Sequence, residues 1–179
     1  MMLTNQVVLS LTDGMLTCVF RAYQLIGKSL SKTMIRREIY VEGFKWRIHA
    51  FFAVTDYWVE PIMDLLWHLG CDAETAKRAY ENLTSGDLDT GLCYSNYAKK
   101  ESVMVIAKTS SADEFFNSFL HEMSHLQGHV CNVLFLSPDG EDIAYFTGNV
   151  AMELYPSIKH LLCYPCRNKH LGHEKEGCT

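Results

Sequence analysis

Hydrophobic and polar positions along the chain lay out a small mixed domain. Arg36–Val41 and Phe44–Val54 are rich in β-branched and aromatic residues and flank Glu42-Gly43, the pattern of a hairpin with a two-residue turn. In the second strand Phe44, Trp46, Ile48 and Ala50 fall on one face, and Lys45, Arg47 and His49 on the other. Pro61 opens a short helix with Ile62, Leu65, Leu66 and Leu69 inward, stopped by Gly70. Asp72 is a good N-cap for a second helix running to about Leu83. The polar, glycine-containing stretch Thr84–Lys100 predicts a loop, longer than most connections and of the kind that often carries function.

Ser102–Lys108 predicts a strand. Ser111-Ala112-Asp113-Glu114 is a capping box that launches a helix through Phe115, Phe116, Phe119 and Leu120 to about Cys131. Ser137-Pro138-Asp139-Gly140 reads as a turn, and Glu141 to about His160 as another helix. The expected fold class is α+β: a small antiparallel sheet with helices on one side and a helix pair forming the C-terminal half. Residues 1–33 read as an N-terminal extension with one amphipathic helix around Met15–Leu30, residues 34–162 as the domain, and residues 163–179 as a polar tail.

Composition narrows the function classes. At 179 residues, 48% apolar and 21% charged, the chain is sized for one globular domain and is neither collagenous nor disordered. A net charge of −5 offers no basic surplus for phosphate, which argues against nucleic acid as a partner. No stretch approaches the ~20 apolar residues that span a bilayer, so no membrane partner is expected. The seven cysteines are odd in number and mostly scattered singly, and no signal-peptide pattern opens the chain. These features predict a cytoplasmic protein with free thiols.

Against this ordinary background, His121-Glu122-Met123-Ser124-His125 is an H-E-x-x-H motif on a predicted helix. Two histidines at i and i+4 lie one turn apart on one helix face and can reach a single metal ion. Zinc accepts such imidazoles, and the intervening glutamate stands beside the metal, where it can take a proton from metal-bound water. The expectation is therefore Zn2+ held by His121 and His125, with Glu122 as general base.

A third protein ligand should complete the site. His129 lies near the same face but ~12 Å along the axis from His121, too far for one ion on a straight helix. Cys131 sits where the H-E-x-x-H-x-x-G-x-x-H pattern places its last ligand, with Gly128 at its glycine, provided the helix breaks there. Glu141 and Asp142 open the next helix, and an antiparallel return could bring either back to the histidines. Glu141 is placed ahead of Asp142 and Cys131 because Glu141-Asp142-Ile143-Ala144 has the form E-x-x-A.

H-E-x-x-H on one helix and E-x-x-A on the next resembles the gluzincin group of zinc metallopeptidases. More narrowly, residues from about Ile39 to Cys166 resemble small zincin-like proteins of Bacteroidetes bacteria and their phages. The marks are TGLCYSN (90–96), ESVMVIAK (101–108), FFNSFLHEMSHL (115–126) and GEDIAYFTG (140–148). The resemblance implies a zincin-like metal-binding helix pair, Glu122 as catalytic base, and zinc on His121, His125 and Glu141. It also implies a peptide or protein substrate laid along the strand at Ser102–Lys108 by strand addition. The chain departs from the gluzincin pattern in its short gap from His125 to Glu141, and in Tyr145 where related families often carry Asp or Asn.

Tyr145, Tyr94 and His160 are the candidate oxyanion donors. A second cluster, Cys163-Tyr164-Pro165-Cys166 with His170, His173 and Cys178, could hold a structural zinc or form a plain tail with reduced thiols. His49 and His68 read as strand-face and helix-surface residues. The leading expectation is a zinc-dependent hydrolase, most simply a metallopeptidase. The competing readings are a non-catalytic zincin-like module that binds another protein, and a metalloenzyme hydrolysing a non-peptide amide.

Overall fold

The computed structural model describes residues 34–55 and 58–166. The expectations for residues 1–33, and for His170, His173 and Cys178, lie outside them. The α+β class holds: four strands and four principal helices, in the order β1 (Ile35–Val41), β2 (Trp46–Val54), α1 (Val59–His68), α2 (Ala73–Thr84), β3 (Gly91–Asn96), β4 (Glu101–Ala107), α3 (Ala112–Leu134) and α4 (Glu141–Ile158). Among the described residues no helix is long and apolar enough to cross a membrane.

The sheet runs β1-β2-β4-β3 and is mixed rather than antiparallel throughout. β1 pairs antiparallel with β2 and β3 with β4, but β2 and β4 are parallel neighbours. Helices also cover both faces, not one. Beyond Arg47 the alternation gives way to the run Ala50-Phe51-Phe52-Ala53-Val54, apolar on both sides, and such a strand must be buried twice. Ile48, Ala50, Phe52, Met104 and Ile106 pack under α3 and α4, against Phe119, Met123, Leu126, Phe146 and Val150. Phe51, Val54, Val103 and Val105 pack under α1 and α2, against Ile62, Leu66, Ala76 and Leu83. Each fully buried side chain of this size contributes about 1.5–3 kcal/mol.

The expected two-residue turn is wider, a 3-10 turn over Glu42–Phe44 closed by Lys45 in the left-handed region (φ 52°). Caps fall where the sequence places them. Asp72 accepts from the Glu74 and Thr75 amides, and Ser111 from the Glu114 amide at 3.2 Å. α3 runs unbroken through Gly128 to Leu134.

The largest correction concerns Thr84–Lys100, which contains strand β3 rather than only loop. Glycine at its start and Ser-Asn at its end give it little β-propensity. It forms because Leu92 and Tyr94 find apolar cover on the α1/α2 side and β4 offers an unpaired edge. In consequence β4 is interior, with β2 on one side and β3 on the other, and among the described residues the outer edge on this flank belongs to Gly91–Asn96. Ser102–Lys108 therefore cannot receive an added strand.

Candidate active site

α3 projects its motif toward β3. His121 and His125 are exposed, with Nε2 atoms 3.1 Å apart and ring centroids 4.7 Å apart at 80°. One residue on from His121, about 100° around the axis, Glu122 turns inward and is only 4% exposed. Its Oε2 is buried without a hydrogen-bond partner. Burial pushes its carboxyl up to about 7.

The approach of β3 makes this burial. Asp89, in the left-handed region (φ 63°), accepts from the Ser110 amide at 2.6 Å and the Ser110 hydroxyl at 2.7 Å, tying the entry of β3 to the start of α3. Gly91 then lies directly on Glu122, and a Cβ there would stand 2.8 Å from the carboxylate carbon. Only glycine admits both strand and carboxylate, a use of glycine for close approach rather than for unusual backbone angles.

Further along β3, Cys93 and Ser95 share the α3-facing side with Gly91. Ser95 Oγ is 2.8 Å from His129 Nδ1, and Cys93 Sγ is 4.0 Å from the same nitrogen. Burial first, and then the Glu122 carboxylate, push the Cys93 thiol up, so it is no activated nucleophile. The Thr90 carbonyl accepts from the Ala107 amide at 2.9 Å. By the two-residue period, Leu92, Tyr94 and Asn96 turn their backbone groups to β4, while those of Gly91, Cys93 and Ser95 face the open edge. The Gly91 carbonyl there accepts from the Asn82 side chain at 3.3 Å. The outer edge of β3 thus runs beside α3, with Gly91 against Glu122 and Ser95 against His129.

The donor set fits zinc in part. Legs of about 2.0–2.1 Å to nitrogens 3.1 Å apart meet at about 95–100°, near the tetrahedral angle. Glu122 Oε2, buried and unpartnered on the inward side of the same helical turn, is a group of the kind that serves as a base. Among the described residues, however, no three His, Cys, Asp or Glu side chains gather into a metal-holding group. Glu141 and Asp142 are exposed in the first turn of α4. Cys131 is buried in the core, and the helix break that would present it is absent.

The remaining candidates divide by position. Tyr94 packs on the α1/α2 side of the sheet, away from α3, and burial raises its hydroxyl pKa ahead of the charges of Cys71 and Asp72. Tyr145 is 66% exposed on α4. Cys163 and Cys166 are half-buried. His68 is exposed as expected, but His49 is buried, with Nε2 2.6 Å from Glu101 Oε1. The sequence reading missed Gly91 and Ser95 because their roles depend on a strand that the local sequence does not announce. No family model, curated protein or solved structure matches the chain.

Proposed function

We propose that the chain is a zinc-dependent hydrolase whose substrate is a peptide bond, with His121 and His125 as metal ligands and Glu122 as general base. One observation carries the reading: a carboxylate set between two metal-competent histidines is buried against Gly91 with one oxygen unpartnered. A structural metal site has no use for such a group. When bound, zinc supplies a Lewis acid for the substrate carbonyl and lowers the pKa of water toward ~7.

The chain's own residues supply the rest. Glu122, poised near neutrality, takes a proton from water as the water oxygen adds to the carbonyl carbon. The same carboxyl returns the proton to the amine nitrogen as the C–N bond breaks. The substrate lies extended along the outer edge of β3, where the backbone groups of Cys93 and Ser95 face it. Glu141 remains the proposed third ligand, reached from the first turn of α4. A non-catalytic binding module is the second reading, favoured by the lack of a gathered third ligand.

The test is metal content. Protein exposed to zinc and desalted should retain about one zinc per chain, and His121→Ala/His125→Ala should retain none, measured by plasma emission. A wild-type chain that takes up no zinc would end this reading.

A further inference from the structure

A buried chain of hydrogen bonds crosses the sheet and ends at His129. The Trp46 indole N–H, which can only donate, gives its hydrogen to Ser102 Oγ at 2.8 Å. Ser102 is fully buried on β4, and its hydroxyl lies 2.6 Å from Ser95 Oγ on β3. Ser95 Oγ is in turn 2.8 Å from His129 Nδ1 on α3. With Trp46 as a fixed donor, one direction satisfies every member: Ser102 donates to Ser95, and Ser95 donates to His129 Nδ1. The imidazole then carries its hydrogen on Nε2. His129 is half-buried, and its ring stands 5.8 Å from that of Tyr97.

We propose that the Trp46–Ser102–Ser95 chain makes His129 a substrate-binding residue beside the outer edge of β3, presenting its Nε2–H to an acyl oxygen of a peptide extended along that edge. This rests on reading the edge as a peptide site, but not on the metal or the hydrolysis. β3 and α3 run side by side in the same sense: Gly91 meets Glu122 at one end, and Ser95 meets His129 at the other. An extended chain advances about 6.6–6.8 Å every two residues. One helix turn, from His125 to His129, advances about 6 Å. Acyl oxygens that recur on one side of a peptide therefore keep step with the turns of α3. When one lies beside His125, another comes level with His129.

Two features suit the imidazole to donation rather than to metal binding. Burial, and then the neighbouring His125, hold its pKa below the usual histidine range, which favours the neutral ring. Its Nδ1 is occupied by Ser95, and the ~12 Å from His121 keeps it from a shared ion. The sheet fixes the ring through two hydroxyls and an indole, all on strands, which is the rigidity a positioned donor needs.

The test uses the full chain and acetyl-trialanine amide as probe. Long-range 15N spectra of the histidine rings should show His129 protonated on Nε2 at neutral pH. The Nε2–H resonance should move, and saturate, as the peptide is added. His129→Leu should weaken peptide binding about tenfold, whereas His129→Gln, which keeps an N–H near that place, should weaken it less than about threefold. Ser95→Ala should leave the ring a mixture of tautomers. Zinc content should be the same in His129→Leu as in wild type.

A ring protonated on Nδ1, peptide affinity unchanged in His129→Leu, zinc lost with that substitution, or no peptide binding by the wild type would each overturn the proposal. None of these readouts requires turnover. A chain that binds the peptide through His129 yet takes up no zinc would refute the hydrolase alone.

Discussion

Glu101 and Glu122 are both withdrawn from solvent, and they are treated in opposite ways. Glu101, on β4, meets buried His49 at 2.6 Å, and the other imidazole nitrogen of His49 lies 3.6 Å from Glu38, which also pairs with Arg47. The cluster ties β1, β2 and β4 together at one end of the sheet, and each carboxylate has a cationic or imidazole partner. Glu122 is more deeply buried than Glu101 and has no such partner for Oε2. Burying a carboxylate is tolerable when it is paired and costly when it is not. The first arrangement is architecture. The second lowers stability, and the strand above it has to begin with glycine to allow it.

Substitution at the two positions should separate these roles most widely. In the proposed hydrolase, Glu122→Gln should lower peptide hydrolysis by about 10²–10⁴ while zinc content is kept, since the proton acceptor is lost but the ligands are not. Glu101→Gln, at the opposite end of β3 from Gly91 and Glu122, should leave hydrolysis within roughly twofold and should lower stability by about 1–3 kcal/mol in urea unfolding. Equal losses of hydrolysis at both positions would remove the distinction between them.

A second contrast sharpens the point with glycines. Gly91→Ala places a methyl group on the Glu122 carboxylate, so either the strand or the base must move. Hydrolysis should fall about 10²-fold through misplacement of the base, with about 1–3 kcal/mol lost to overpacking. Gly128→Ala, on the same helix, meets nothing within 4 Å and should stabilise the chain by up to about 1 kcal/mol through helix propensity. Unfolding curves and initial rates for the pair distinguish crowding of the carboxylate from a general effect of adding a methyl group.

How much of this was legible beforehand follows from how local each signal is. The Ser111 cap, the Asp72 cap and the i, i+4 histidines depend on residues within a turn of one another, and the structure places all three, although at Ser111 it forms only the half of the capping box in which the Glu114 amide donates to Ser111. β3 was missed because what holds Gly91–Asn96 extended is the edge of β4 and the apolar cover of α1 and α2, none of it adjacent in sequence. The sheet was expected to be covered on one face because the alternation was followed only as far as Ala50. The next residues, Phe51 to Val54, carry the sign of the second layer. His49 reads as a strand-face residue, and what buries it is not local: its partner Glu101 lies on a strand that joins β2 only through the parallel crossover. The Trp46–Ser102–Ser95–His129 chain draws one residue from each of four elements, so no window of sequence could display it.

The smallest effect tests whether the helix that carries the motif can be weakened without touching the chemistry. Ser111 accepts from the Glu114 amide at 3.2 Å and satisfies one of the free donors at the start of α3, ten residues before His121. Ser111→Ala should lower stability by about 1 kcal/mol, read as a lower urea midpoint with an unchanged slope. Because α3 is anchored along its length by Phe115, Phe119, Met123 and Leu126, fraying of its first turn should not reach the histidines. Zinc content and hydrolysis should therefore match wild type. Loss of zinc in Ser111→Ala would mean that the cap, and not the buried face of the helix, fixes the register of His121 and His125 against β3.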